Sequence, residues 1–305
     1  MDKKNKLFSI KKEHESASKH VSGKAKYIDD IPEPKNLLHT AIGYSQIAKG
    51  KIKSINLKEV AKSEGVIDVI TYKDIPGIND VGPVFKGDPI FAKKNIEYFG
   101  QPIFAVAATT CELARKAITK AKINYLKVKP ILEIQEAIKK KSFVLEPKIL
   151  KKGNAIKNIK NSKHIIEGEL FSGGQDHFYL EGQIALTIPQ EDNNYLVYSS
   201  TQHPTETQQI IAKVIKQKFN SINVRVRRIG GGFGGKETQS FIFAAISTLL
   251  AKKTGNPTKL RVDRDDDMII TGKRHDFYYK YKAGFDDKGK INGLDIVLAS
   301  RCGIS

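Results

Sequence analysis

The sequence predicts an α+β fold, and three observations carry that expectation. Short apolar or alternating stretches interleave with helix-length amphipathic ones along most of the 305 residues. A stretch rich in lysine and asparagine, without a sustained period, separates two such regions at 135–162. In the second region a glycine-rich unit joins an alternating strand to an apolar helix. At roughly 100 to 200 residues per domain, the length suggests two domains.

Residues 1–15 are polar and charged and are expected to form a loose tail, with order beginning near Ser16. The first domain then spans 16–134. Its expected strands are 37–42, 52–57, 66–71 and 103–107, with helices at 58–63 and 111–122. The second helix places Leu113, Ala114, Ala117, Ile118 and Ala121 on one face. Ile75-Pro76-Gly77 and Asp80-Val81-Gly82-Pro83 are turn signals between its halves.

Residues 135–162 are expected to be a linker, and 163–305 the second domain. Strands are predicted at 165–171, 184–188 and 195–198, then a helix over 205–219 after Pro204. Residues 223–228 alternate, with Val224 and Val226 on one side and Arg225 and Arg227 on the other, as in a half-buried strand. In the helix expected at 238–253, Phe241, Ala244, Ala245 and Leu249 form a stripe closed by Gly255 and Pro257. Further strands are expected at 259–263, 277–284 and 293–300, and no internal repeat is visible.

Composition narrows the function classes. The formal charge of +19 would suit a nucleic acid or an acidic membrane, but the excess is mostly lysine scattered through every segment. A nucleic-acid groove would cluster its charge, with arginines and stacking aromatics, so no nucleic-acid partner is expected. No window reaches the ~18 apolar residues of a membrane span. The N-terminus runs into charge rather than an apolar signal segment, so no membrane partner and a cytoplasmic address are expected. Cys111 and Cys302 have no ligand or redox spacing and are expected to be ordinary buried or semi-buried residues. The acidic run 263–267 is expected to form ion pairs with Arg261 or Arg274 rather than hold a metal.

The chemistry is expected in Arg227-Arg228-Ile229-Gly230-Gly231-Gly232-Phe233-Gly234-Gly235-Lys236-Glu237. Five glycines here let the backbone take unusual angles and let a ligand approach main-chain N–H groups before a helix. Gly230, Gly232 and Gly235 satisfy a dinucleotide fingerprint, with Asp263 downstream, yet the preceding strand is amphipathic where a dinucleotide fold has an apolar one. Gly230, Gly235 and Lys236 approach a P-loop, but Glu237 replaces the magnesium-binding hydroxyl. A glycine turn used only for packing would not explain the bulky Phe233. The pattern alone does not choose among these readings.

The same unit resembles the glycine-rich motif of the molybdenum hydroxylases, and other segments resemble the xanthine dehydrogenase branch in the same order. They are Ser16-Ala17 with Asp29-Asp30-Ile31-Pro32, Gly100-Gln101-Pro102, the run from Gly173-Gly174-Gln175-Asp176-His177 to Phe178-Tyr179-Leu180-Glu181, Ser199-Ser200-Thr201-Gln202-His203-Pro204, and Thr271-Gly272-Lys273-Arg274-His275-Asp276-Phe277. The resemblance implies an α/β-hammerhead domain at 16–134, then an incomplete molybdenum-cofactor-binding α+β domain at 163–305, the first molybdopterin-binding domain cut short at its C-terminus. It implies a molybdenum–molybdopterin cofactor, with FAD and 2Fe-2S clusters on a partner subunit or other domain, and hydroxylation of xanthine or hypoxanthine with oxygen from water.

By match to the family motif, Gln202 would donate its side-chain amide toward an oxo ligand of the metal. Gly232, Phe233 and Gly234 would line the cofactor pocket, so Gln202 and Phe233 make the molybdenum environment without ligating the metal. Glu237 would bind a purine; read without the resemblance, it is an exposed first-turn glutamate favoured by the helix dipole. His177, beside Phe178 and Tyr179, is expected to be a packing residue rather than a ligand or base. The resemblance also implies a general base beyond residue 305, and a remaining C-terminal half of the subunit as partner. The rival readings are an aldehyde oxidase-like enzyme, which tends to carry an apolar residue where Glu237 stands, and a dinucleotide-binding reductase.

Overall fold

The computed structural model describes residues 14–303, so most of the expected tail lies outside the described residues. The described chain opens with a short helix, α1 (Ala17–Val21). The first region then contributes β1 (Leu38–Tyr44), β2 (Gly50–Asn56), α2 (Lys58–Ala61), β3 (Val66–Thr71), β4 (Asn95–Ile96), β5 (Pro102–Ala108), α3 (Cys111–Ile118) and β6 (Lys122–Lys127). The stretch expected to be linker holds two short helices, α4 (Ile134–Lys139) and α5 (Ala155–Lys160). The second region supplies β7 (His164–Ser172), β8 (Ile184–Pro189), β9 (Tyr195–Ser199), α6 (Pro204–Ile215), β10 (Ile222–Arg225), α7 (Ser240–Thr254), β11 (Thr258–Arg261), α8 (Arg264–Ile270), β12 (Phe277–Phe285) and β13 (Ile291–Ser300).

One seven-stranded sheet runs through both regions in the order β10-β9-β8-β11-β1-β5-β3. Its seam is the parallel pair β1–β11, registered Leu38 to Thr258 and Thr40 to Leu260. The main hydrophobic core crosses the seam too: Leu38, Ile42, Ile70 and Ala105 pack in one cluster with Val197, Ile211, Phe241 and Leu260. Each large apolar side chain so buried contributes about 1.5–3 kcal/mol.

Several elements differ from the sequence expectation for identifiable reasons. The helical period of 111–122 breaks at Ile118, where two turns intervene before β6 pairs with β2. Ala121, Ile123 and Tyr125 then face the same small core as α3, which made the helix look longer than it is. The helix expected to reach 219 stops at Ile215 because Lys216 adopts a left-handed φ of 52°. Instead of a single stripe, α7 is buried on nearly all sides between α6 and the sheet. Gly255 closes it at φ 69°, as expected.

The acidic run is the first turn of α8, with Asp263 as N-cap accepting the Asp266 amide at 2.9 Å. Its cationic partner is Arg115, which pairs with Asp263 and Asp266. Arg261 pairs with Asp29, and Arg274 donates to the Gly173 carbonyl, so neither serves the run. Both cysteines are exposed rather than buried.

A second sheet, β13-β12-β7, stands beside the first. Its register puts Ile166, Leu170, Tyr279, Tyr281, Leu294, Ile296 and Leu298 on one face, and the Glu167–Lys282 and Glu169–Lys280 pairs on the other. Helix α5 packs against this sheet where Gly284 and Gly293 approach Ile159. The aliphatic side chains of the apolar face remain exposed. A third, small sheet has the order β4-β2-β6. Among the described residues no helix is long and apolar enough to cross a membrane, and no cluster of His, Cys, Asp and Glu could hold a metal ion.

Candidate cofactor site

The glycine unit leaves β10 at Arg225 and reaches α7 at Ser240 through an irregular loop. Its tip is a turn in which the Gly235 amide donates to the Gly232 carbonyl at 2.7 Å. The two residues between have positive φ, 54° at Phe233 and 88° at Gly234. For a bulky side chain that conformation is costly and persists only where the surroundings enforce it. The Phe233 ring is 74% exposed, so the enforcement comes from the backbone and not from burial of the ring.

Glycine is required along the loop by close approach. A Cβ at Gly230 would lie 2.5 Å from the Cβ of Glu181, and one at Gly232 would lie 2.6 Å from Oε1 of Gln202. At Gly234 nothing lies within 4 Å, so its backbone faces open space. Gln202 sits in the turn between β9 and α6. Its side-chain oxygen accepts the Gly234 amide at 3.1 Å and the Lys236 amide at 3.2 Å, while its backbone N–H donates to the Lys236 carbonyl at 2.8 Å. With Oε1 committed to the loop, Nε2 is left as donor and makes no hydrogen bond among the described residues.

Beneath the loop lies a polar network that the sequence reading did not assign. The Lys236 side chain is 0% exposed; Nζ donates to the Glu181 carbonyl at 2.6 Å and to Ser200 Oγ at 2.7 Å, and sits 4.5 Å from the Tyr179 ring centre. Glu181 Oε2 is 3.5 Å from Nζ and accepts the Gly230 amide at 2.8 Å and Ser200 Oγ at 2.7 Å. Burial pushes the Lys236 ammonium below the ordinary lysine value, and the Glu181 carboxylate pulls against it. Gln183 Nε2 donates to the Gly235 carbonyl and the Tyr179 hydroxyl, each at 2.9 Å. That hydroxyl donates to Asp267 at 2.7 Å, and burial with this contact pushes the phenol well above its usual range.

The structure therefore gathers Gln202, Gly232 and Gly234 directly and places Phe233 at the exposed tip. Glu237 follows Lys236 on the surface, in the turn preceding α7 rather than in its first helical turn, and makes no hydrogen bond among the described residues. His177 is half-buried and stacks on Tyr179 with centroids 6.5 Å apart. Tyr179, Glu181, Ser200 and Lys236 all lie in the segments that carried the family resemblance. Their contacts join positions up to 55 residues apart, and this pairing no single segment displays. Asp267 was hidden by the acidic run around it.

The Gly230, Gly234, Gly235 and Lys236 amides are all taken within the protein, so what the loop leaves to a neighbouring group is the Nε2 of Gln202 and the open space at Gly234. A molybdopterin cofactor-binding domain model matches residues 138–305, and the aldehyde oxidase and xanthine dehydrogenase a/b hammerhead domain model matches 22–129. The chain belongs to the aldehyde oxidase and xanthine dehydrogenase family. It is 42% identical over 293 residues to a xanthine dehydrogenase/oxidase of Gallus gallus, covering 96% of this chain and 22% of the relative. It is 41% identical over 285 residues to aldehyde oxidase 2 of Macaca fascicularis, covering 93% and 21%. The chain thus spans about a fifth of the length of these curated relatives. Among solved structures, the aldehyde oxidoreductase of Desulfovibrio gigas shares the fold with a TM-score of 0.81 at 23% identity, over 93% of this chain and 33% of that one.

Proposed function

We propose that this chain forms part of the molybdenum-binding subunit of a purine-oxidising hydroxylase, and that the glycine loop and Gln202 make the near side of its cofactor pocket. The observation that carries the reading is the orientation of Gln202: Oε1 is held by the Gly234 and Lys236 amides, so only the Nε2 donor is available to a bound group. The fit is chemical. A metal-bound oxo group is an acceptor, and the loop offers it an uncharged donor beside a glycine with open space above it.

When bound, the molybdenum–molybdopterin group supplies the oxidising chemistry, and the chain positions and shields. Gln202 donates from Nε2, the backbone at Gly232 and Gly234 admits close approach, and the Phe233 ring excludes water from one wall. Glu237 presents a carboxylate that accepts from a purine N–H edge, which favours xanthine or hypoxanthine over a small aldehyde. The 41% identity to an aldehyde oxidase supports a second reading in which the substrate is an aldehyde.

In this reading FAD and 2Fe-2S clusters on a partner subunit or other domain accept the electrons, the enzyme is cytoplasmic, and a general base comes from a segment outside these residues. The same segment covers the exposed apolar face of β7, β12 and β13, since a contiguous uncovered apolar surface of this kind marks an interaction site. Metal and pterin analysis of the purified enzyme tests the cofactor assignment, and the ratio of xanthine to aldehyde turnover tests the substrate.

A further inference from the structure

We propose that Lys236 is a positioning residue that fixes which way the Gln202 amide faces, acting through the glycine loop without touching the bound group. The inference rests on the role given to Gln202 above. One residue holds Gln202 on two sides: the Lys236 amide donates to Gln202 Oε1 at 3.2 Å, and the Lys236 carbonyl accepts the Gln202 backbone N–H at 2.8 Å. The same residue's side chain is anchored below by Ser200 Oγ and the Glu181 carbonyl. Glu181 in turn takes the Gly230 amide, so both ends of the glycine loop are tied to one carboxylate.

The choice of lysine is informative. Filling this space is a task for methionine or leucine, because a buried ammonium is unfavourable unless paired and fully hydrogen-bonded. Lysine adds directed contacts, and here they set the height at which the Lys236 amide meets Gln202. A carboxamide turned by 180° has nearly the same shape, so only its hydrogen bonds decide which end is oxygen. The Gly234 and Lys236 amides make that decision. If the anchor slackens, the turned amide becomes accessible and offers an oxygen where the pocket needs a donor.

The test uses the whole chain without cofactor and two variants, Lys236→Met and the double variant Lys236→Met/Glu181→Gln, which also removes the carboxylate that the single change strands. Amide exchange at Gly230 and Gly234 and the side-chain amide resonances of Gln202 are followed by NMR, with β8 and β9 as internal reference. The expected result is exchange at Gly234 about tenfold faster or more, and more than one set of Gln202 side-chain signals, with β8 and β9 unchanged in the double variant. Unaltered Gly234 and Gln202 signals in both variants overturn the proposal. So does an equal loss of protection across β8, β9 and the loop in both, which makes Lys236 a residue of the fold alone. Because no cofactor is present, these outcomes are independent of whether the purified enzyme carries molybdenum.

Discussion

The side-chain oxygen of Gln202 accepts the backbone amide of Gly234 at 3.1 Å across 32 residues of sequence. This contact converts a symmetric-looking carboxamide into a one-way donor, and it ties the turn before α6 to the tip of the glycine loop.

Replacing Gln202 by alanine removes that donor and frees two loop amides, while leaving β9 and α6 on either side intact. The expected outcome in the assembled enzyme is turnover lowered roughly ten- to a hundredfold with pterin and metal content largely retained. Steady-state kinetics beside cofactor quantification checks it; a fall in activity fully explained by cofactor loss makes Gln202 a scaffold for the pterin instead.

Glu237→Val tests the substrate. In the assembled enzyme it should depress xanthine oxidation roughly ten- to a hundredfold more than oxidation of a small aldehyde, the cost of one lost polar contact in a water-excluding pocket. Comparing kcat/KM for the two substrates decides it, and equal losses on both remove Glu237 from purine recognition.

Gly230→Ala should destabilise the fold by about 1–3 kcal/mol, because the new Cβ meets the Glu181 Cβ at 2.5 Å and the Glu181 backbone nitrogen at 3.2 Å. Gly153→Ala is the control, with a positive φ of 63° but nothing within 4 Å of its Cβ, so it costs only the backbone term of about 1 kcal/mol. Chemical denaturation separates them, and equal midpoints for the two contradict the close-packing account of the loop.

How much of this was legible in sequence differs between the strands and the site. The strands around Ala105 and Leu186 read directly because each is a short apolar run that the sheet buries, and the strand at 66–71 reads from its β-branched residues although only Ile70 of it is buried. The shared sheet was not legible: the β1–β11 pairing joins residues about 220 positions apart, and no local period reports it. In the site, glycine spacing pointed to the loop and the family resemblance to Gln202, and the structure brings the two together. Lys236 was given no role by the sequence, where it only completed an imperfect P-loop pattern, because its burial against Glu181 depends on a pairing 55 residues apart.

Lys253, at the end of α7, reaches Asp68 and Asp74 of the first region, both at 2.9 Å. Burial raises Asp74, but hydrogen bonds from Lys253 and Thr71 outweigh it and hold the carboxyl below its ordinary 3.8. Burial lowers Lys253, and its two carboxylate partners lift it above 10.5. The stabilisation is therefore present between these limits. It is lost as pH falls through the depressed Asp74 value and again as pH rises through the raised Lys253 value. Lys253→Met should cost about 0.5–1 kcal/mol near neutrality, reduced by solvent screening at this partly exposed site. The difference in Tm should vanish at both extremes, and one that is independent of pH refutes the ion-pair account.

The proposed function requires that the Gln202 and glycine-loop site hold a molybdenum cofactor. Elemental and pterin analysis of the enzyme purified with its natural partners tests it most directly. Molybdenum and pterin are expected in equal, near-stoichiometric amounts with this chain. Protein without molybdenum that instead retains a nicotinamide nucleotide contradicts it, and returns the glycine loop to a dinucleotide site.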